Sequence, residues 1–404
     1  MLSRSMLLIA LVLMTTVPAC GTLTPPGPDT LQTIVFINDG NIWQIAGKDP
    51  PKQLTTGGNA NHVRISSDGQ KVAFTTFDSA TLSAELRVVD SDGGGETVLL
   101  SQAQLDSLYP PDAAIHHAPY DLAFIPGTQI LLFTTMDVLE APGLFLHEDV
   151  VQVDAENGAF SILLDPGDGG TFAISPDGRK LAISRPASIS LANVDGSDLL
   201  PDVLTYPEVP TDSELIYRAA PVWAPDSNEL GVAIPSPIPF GPGVSGTIWR
   251  IPSDGETPTE LATIEGKFFS LTSTAPFLSS DLLKVAFFHE TTSFNVFDLY
   301  IANSDGTEGT LYATDVTSWQ GWAPDNQHFV YTTGAMDLQL GLVGTPPVAL
   351  GAGRDLRWMS DNSFLYLSGV VESWALMQGQ LGSDRTPLVE LAGDVIWIDY
   401  DFTP

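Results

Sequence analysis

The groups in this 404-residue chain with most scope for chemistry are six histidines, one cysteine and an excess of acidic residues. Four of the histidines lie beside carboxylates or aromatics, in "SLYPPDAAIHHAPYD" (107–121), "LFLHEDV" (144–150) and "FHETTSF" (288–294). Imidazole with carboxylate suits Zn²⁺ or a similar ion, and His116, His117, His147, Glu148, Asp149, His289 and Glu290 could meet around one axis. Their spacing matches no compact metal motif, however, and adjacent histidines in an extended segment point opposite ways. The expectation is therefore no resident metal or cofactor, with Ca²⁺ or Zn²⁺ the ions to test. "DSDGGGE" (90–96) lacks the third spaced ligand and the distal Glu of an EF-hand loop. "GVSGT" (243–247) lacks the final Gly of a nucleophile elbow, and "GDGGTF" (167–172) has no helix after it to cradle phosphate. No Walker A or H-E-x-x-H string occurs. No catalytic residue is assigned, and whether the chain is an enzyme stays open, with the balance against it.

The one cysteine has a different chemistry. "MLSRSMLLIALVLMTTVPAC" carries an Arg, a short apolar stretch and small residues before Cys20, which reads as a secretory signal over 1–19. "VPAC" resembles a bacterial lipobox, whose thiol takes a diacylglyceryl group, so Cys20 is the expected lipid attachment residue. Residues 20–32 then form a Pro-rich tether. The expected location is extracytoplasmic, anchored by lipid to the cell membrane or outer membrane and facing periplasm or cell surface. A single Cys excludes an intramolecular disulfide. With 16 Lys+Arg against 49 Asp+Glu, the net charge of −33 repels phosphates and makes nucleic acid an improbable partner. Most of the acids are Asp, the turn former.

What positions these groups is a repeat. "ISPDGRKLAIS" (174–184) recurs as "ISSDGQKVAFTT" (65–76), "WAPDSNELGVAI" (223–234), "LSSDLLKVAFF" (278–288), "WAPDNQHFVYTT" (322–333) and "MSDNSFLYLS" (359–368), with a degenerate copy at "LAFIPGTQILLFTT" (122–135). A spacing near 50 residues is that of four-stranded propeller blades. The aromatic run before each turn reads as strand a and the run after it as strand b. Strand c often ends in an Asp-Gly turn, as in "DLYIANSDGT", and strand d follows. Pro176 presets φ in the a–b turn, Asp177 bonds its own backbone, and Gly178 takes the φ that a Cβ would penalise. Residues 33–57 supply strands b, c and d without an a, and 394–404 an a without successors, so the two ends should share a blade. The expected fold is all-β: a single closed propeller over 33–404 with eight blades, the alternative being seven.

"ISPDGRKLAIS…LANVDGS" (174–197) and "WAPDSNELGVAI…IWRIPSDG" (223–255) resemble the WD40-like (PD40) repeats of TolB-type propellers, also found in the propellers of prolyl oligopeptidase relatives. The resemblance implies the fold strongly and a function weakly, because propellers host many roles.

Topology points to the site. The a–b and c–d turns share one face and are short; the b–c and d–a connections share the other and are long. The long connections carry Tyr109, His116, His117, Tyr120, His147, Glu148, Tyr217, Arg218, Phe240 and His289, the candidate binding residues. The expected role is non-catalytic binding of a protein, peptide or glycan through this face. The alternative is a lyase or hydrolase at the axial mouth, which requires at least two of His116, His147 and His289 to converge.

Overall fold

The structure, a computed structural model, describes residues 32–109, 115–139, 145–211, 216–241, 243–269, 275–334, 336–370, 373–392 and 398–403. The expected signal segment, Cys20 and the expected tether up to residue 31 lie outside the described residues.

Antiparallel four-stranded sheets follow one another along the chain. Blade 2 consists of Ala60–Ile65, Lys71–Asp78, Ser83–Asp90 and Thr97–Leu100 as strands a to d. Blade 3 consists of His116–Phe124, Ile130–Val138, Val150–Asp154 and Phe160–Leu164. Blade 4 runs from Thr171–Ile174 to Leu200–Thr205, and blade 5 from Val222–Trp223 to Thr259–Glu265. The next nine strands pair as one continuous sheet, yet they hold three blades. Thr310–Trp322 is strand d of blade 6 in its first half and strand a of blade 7 in its second: Val316 pairs with both Phe297 and Thr333. Thr345–Ser360 joins blades 7 and 8 in the same way. Blade 1 takes Thr33–Asn38, Asn41–Ala46 and Lys52–Gln53 from one end of the chain and Tyr400–Phe402 from the other, with Ile34 opposite Phe402 and Phe36 opposite Tyr400. Among the described residues the count is eight blades.

The core lies between blades. Apolar clusters fill the junctions: Phe36 with Leu365 and Tyr400 between blades 1 and 8, Val35 with Val63 and Phe74 between 1 and 2, Leu86 with Phe133 and Val151 between 2 and 3, and one continuous cluster through blades 5 to 7. This explains why strand b is buried nearly end to end, as in "KVAFTT", while the outermost strand d, such as Thr259–Glu265, is mostly exposed. A b strand is covered on both faces by neighbouring sheets, so it needs no polar alternation.

The repeated turns form as their residues require. In "SPDG", Gly178 sits at φ +71°, its N–H donates to the Ser175 carbonyl at 2.8 Å, and Asp177 Oδ1 accepts from the Arg179 N–H and the Ser175 hydroxyl. Two repeats place a polar residue where Gly178 stands, at positive φ despite its Cβ: Ser227 (+61°) and Asn326 (+57°). Their side chains reach the preceding blade, where Ser227 Oγ accepts the Asp177 N–H and Asn326 Oδ1 accepts the Asp281 N–H, each at 3.1 Å. The strain of the left-handed backbone is offset by a bond that ties one blade to the next.

The seam of the ring is an ionic clasp. Asp399 Oδ1 accepts from Arg357 of blade 8 at 2.7 Å; its Oδ2 accepts from Arg64 of blade 2 at 2.9 Å and from the Val63 N–H at 3.1 Å. Asp401 Oδ2 accepts the Ile65 N–H at 2.9 Å. Burial raises the Asp399 carboxyl, but the Arg357 and Arg64 charges outweigh it and hold the group well below the usual carboxylate range. At Asp401 burial wins and the carboxyl is raised.

Candidate functional site on the long-loop face

Three of the candidate residues, with an aspartate that the sequence did not single out, come together at the long-loop end of blade 3. His117, near the start of strand a, lies directly opposite Asp137 on strand b. His147 returns along the b–c connection and donates its backbone N–H to the Thr135 carbonyl at 3.0 Å, which lays its ring beside the same aspartate. His147 Nε2 is 2.5 Å from Asp137 Oδ1, and His117 Nε2 is 3.7 Å from that oxygen. The Tyr109 ring covers both imidazoles, its centroid 4.2 Å from His147 and 5.5 Å from His117.

A second layer holds this cluster in place. A short helix, Gln102–Asp106, enters the d–a connection behind a capping box in which Ser101 and Gln104 bond reciprocally. It delivers Asp106, which accepts the His117 N–H at 3.0 Å, lies 4.0 Å from His117 Nδ1 and meets His116 Nδ1 at 3.0 Å. His116 and His117 thus point apart yet share one carboxylate. Asp149 is fully buried and occupied: it accepts from Thr134 Oγ1, the Thr135 N–H, Thr135 Oγ1 and the Tyr109 hydroxyl. The Tyr109 phenol is pushed far above its ordinary range by burial and by the Asp149 charge.

The face continues across blades 4 to 6. Glu148 adopts φ +53° and pairs with Arg218 from the connection into blade 5; both side chains are largely buried. Tyr120 lies within the field of Arg218, and its phenol is raised by burial. Tyr206 donates to the Arg185 carbonyl at 2.7 Å and is pushed up to about 12, mainly by burial. An edge-to-face run, Tyr206–Tyr217–Phe269–Phe240, then crosses toward blade 6. It ends at Lys267, a buried lysine whose Nζ stands 4.8 Å from the Phe240 ring centroid and 3.5 Å from Glu290. Burial lowers this ammonium, with Glu290 opposing the shift.

His289 is not part of this array. Its ring packs on Tyr300 and Phe287, and Nε2 contacts the Glu265 carbonyl at 3.1 Å. The wide His-carboxylate ring that the spacing suggested therefore divides. Glu148 is taken by Arg218, Glu290 by Lys267 and Asp149 by hydroxyls, while Asp137, hidden in a β-strand, supplies the carboxylate that two histidines meet. Ser245 of "GVSGT" opens a strand, Ser245–Pro252, opposite Glu265, and has no elbow geometry. Reasoning from sequence also missed the charges in or beside strand a: Arg64, Arg357, Asp399, Asp401 and Asp121. Their only signal is a charged residue in or next to an otherwise apolar strand.

Exposed apolar side chains favour the same face. Ile115, Phe145, Ile216, Ile238, Phe294 and Met336 all sit in b–c or d–a connections, Phe294 at 91% and Ile238 at 74% exposure. Among the described residues the short-turn face contributes only Leu283 and Val343, while Val98, Leu311 and Val348 lie on outer d strands.

No family model matches the chain, and no curated protein matches it. Among solved structures it is similar to a eukaryotic initiation factor at 12% identity and a TM-score of 0.50, over 90% of this chain and 85% of that one. Another similar structure is the β-propeller domain of the Trilobed protease from Pyrococcus furiosus (14% identity, TM-score 0.48, 84% of this chain and 99% of that one). TolB from Acinetobacter baumannii is a third (14% identity, TM-score 0.35), matched over 70% of this chain and only 63% of its own length. The likeness is one of fold, a β-propeller with TolB proteins among its structural neighbours.

Proposed function

We propose that this chain is an extracytoplasmic lipoprotein, anchored through Cys20, whose propeller binds a protein partner through its long-loop face without catalysing a reaction. The observation that carries the reading is the concentration of exposed apolar side chains on that face, above a floor of buried ion pairs and edge-to-face rings. Apolar anchors on a pre-ordered support are what a contact surface needs, because less freedom is lost on binding. The net charge of −33 favours a neutral or basic protein over an anionic membrane or polyanion. Among the described residues no helix is long and apolar enough to cross a membrane.

Photo-crosslinking side chains at Ile238 and Phe294, with Leu283 on the opposite face as control, test the reading in the native host. One defined adduct from the first two positions and none from the third is expected; equal labelling at all three, or none, overturns it. Cys20→Ser should release the chain from the membrane fraction, and retention there would overturn the anchor. A second reading, a hydrolase or lyase, is favoured by one observation, the meeting of His117 and His147 at Asp137, although the pair it called for among His116, His147 and His289 does not form: His116 turns to Asp106 and His289 packs on Tyr300.

A further inference from the structure

We infer that His117, Asp137 and His147 form a Zn²⁺ site with three protein donors and an open fourth position. One ligand atom from each of the three residues lies within 4.8 Å of the other two. In a tetrahedral site with bonds of about 2.0–2.1 Å, donor atoms stand about 3.3 Å apart. The His147–Asp137 separation of 2.5 Å and the His117–Asp137 separation of 3.7 Å bracket that spacing, so small side-chain rotations admit the ion. The donor set, two neutral imidazoles and one carboxylate, is the one zinc takes when it also holds a water or an exogenous ligand.

Three features separate this cluster from an ordinary polar contact. The donors come from three segments whose backbones are fixed against each other: His117 pairs with Asp137 across the sheet, the Asp137 N–H donates to the Phe145 carbonyl at 2.9 Å, and the His147 N–H donates to Thr135. Asp106 stands behind His117: it accepts the His117 backbone N–H at 3.0 Å and lies 4.0 Å from Nδ1, the ring nitrogen facing away from Asp137. A small ring rotation brings Nδ1 within hydrogen-bond reach of this carboxylate, which would orient a metal-bound imidazole. Tyr109, locked by its bond to buried Asp149, covers the His147 ring and restricts water on that side. Asp137, with 23% of its side chain exposed, keeps the cluster in contact with solvent and gives the ion a way in. The site lies on the same face as the proposed partner surface but does not depend on it.

The test is a Zn²⁺ titration of the full chain, prepared without a histidine tag, in competition with a chromogenic chelator. Visible absorption on Co²⁺ substitution provides a second readout. The expected result is one tightly held equivalent and Co²⁺ bands of a low-coordinate nitrogen–oxygen site. Asp137→Asn and His147→Ala should each weaken binding by ~100-fold or more, and Asp106→Asn by ~10-fold, since partners of this kind tune affinity about 10- to 100-fold. His289→Ala should bind as wild type does. Asp137→Asn preserves shape and carries the test if His147→Ala does not fold. Absence of a stoichiometric equivalent, or affinity unchanged in Asp137→Asn and His147→Ala, overturns the site. Either result leaves the crosslinking test of the partner surface intact.

Discussion

Replacing Asp399 by Ala should open the ring at its seam, and the size of the effect follows from what the carboxylate holds. Its side chain is 11% exposed and accepts from Arg357, Arg64 and the Val63 N–H, uniting blades 8, 1 and 2. Removing one member of a buried ion pair costs about 3–5 kcal/mol, because its partner keeps an uncompensated charge. Here both arginines retain solvent access, 27% for Arg64 and 34% for Arg357, so the low end applies, about 3 kcal/mol. Unfolding entropy near the melting temperature is roughly 2.1 cal/mol/K per residue, so roughly 370 residues give ~0.8 kcal/mol/K and a Tm lower by ~4 °C. Differential scanning calorimetry at pH 7 measures it, with Asp305→Ala, in an exposed c–d turn, as control. The pH dependence adds a second constraint. Asp399 is held below its ordinary value, so its contribution is complete above that value and is lost as pH falls through the folded-state pKa. The gap between wild type and variant must therefore close in acid. A Tm within 1 °C of wild type at pH 7, or a gap that widens in acid, would refute the clasp.

Asp401→Asn should have the opposite sign. Its carboxyl is raised by burial, so stability falls as pH rises from the ordinary carboxylate value through the folded one, and the penalty persists at neutral pH. The variant should melt higher than wild type at pH 7 and equal to it in acid, read in the same calorimeter; a lower Tm at pH 7 would count against the assignment. Asn326→Ala removes the acceptor for the Asp281 N–H while keeping a Cβ at φ +57°, and should cost about 1–2 kcal/mol. Asn326→Gly loses the same bond but relieves the backbone, so urea titration should place it between Ala and wild type. If Gly proves the worse of the two, relief of backbone strain is refuted as the deciding effect at this position, and the greater freedom of glycine in the unfolded chain outweighs it.

How much of this was written in the chain differs by feature. The a–b turns, the eight blades and the shared first blade were legible because each rests on local chemistry: a φ preset by proline, an aspartate bonding two residues ahead, a glycine free of Cβ. Such preferences act within about four residues and repeat with the blade. The two faces were legible too, since the lengths of connections follow from where strands begin and end. Ser227 and Asn326 mark the limit: their departure from glycine is visible in the sequence, but the reason lies in the turn of the neighbouring blade.

The tertiary structure alone decided which charges meet. Asp399 and Arg64 are 335 residues apart and touch only because the ring closes. Asp137 belongs to a strand whose sequence, "ILLFTTMDV", reads as core, and only its register opposite His117 makes it a partner for two histidines. His289 has the same kind of neighbours in sequence as His147, yet it packs on the rings of Tyr300 and Phe287 in another blade. Local preference sets the form of each blade in this protein, while closure and register, which no short window contains, set the chemistry between them.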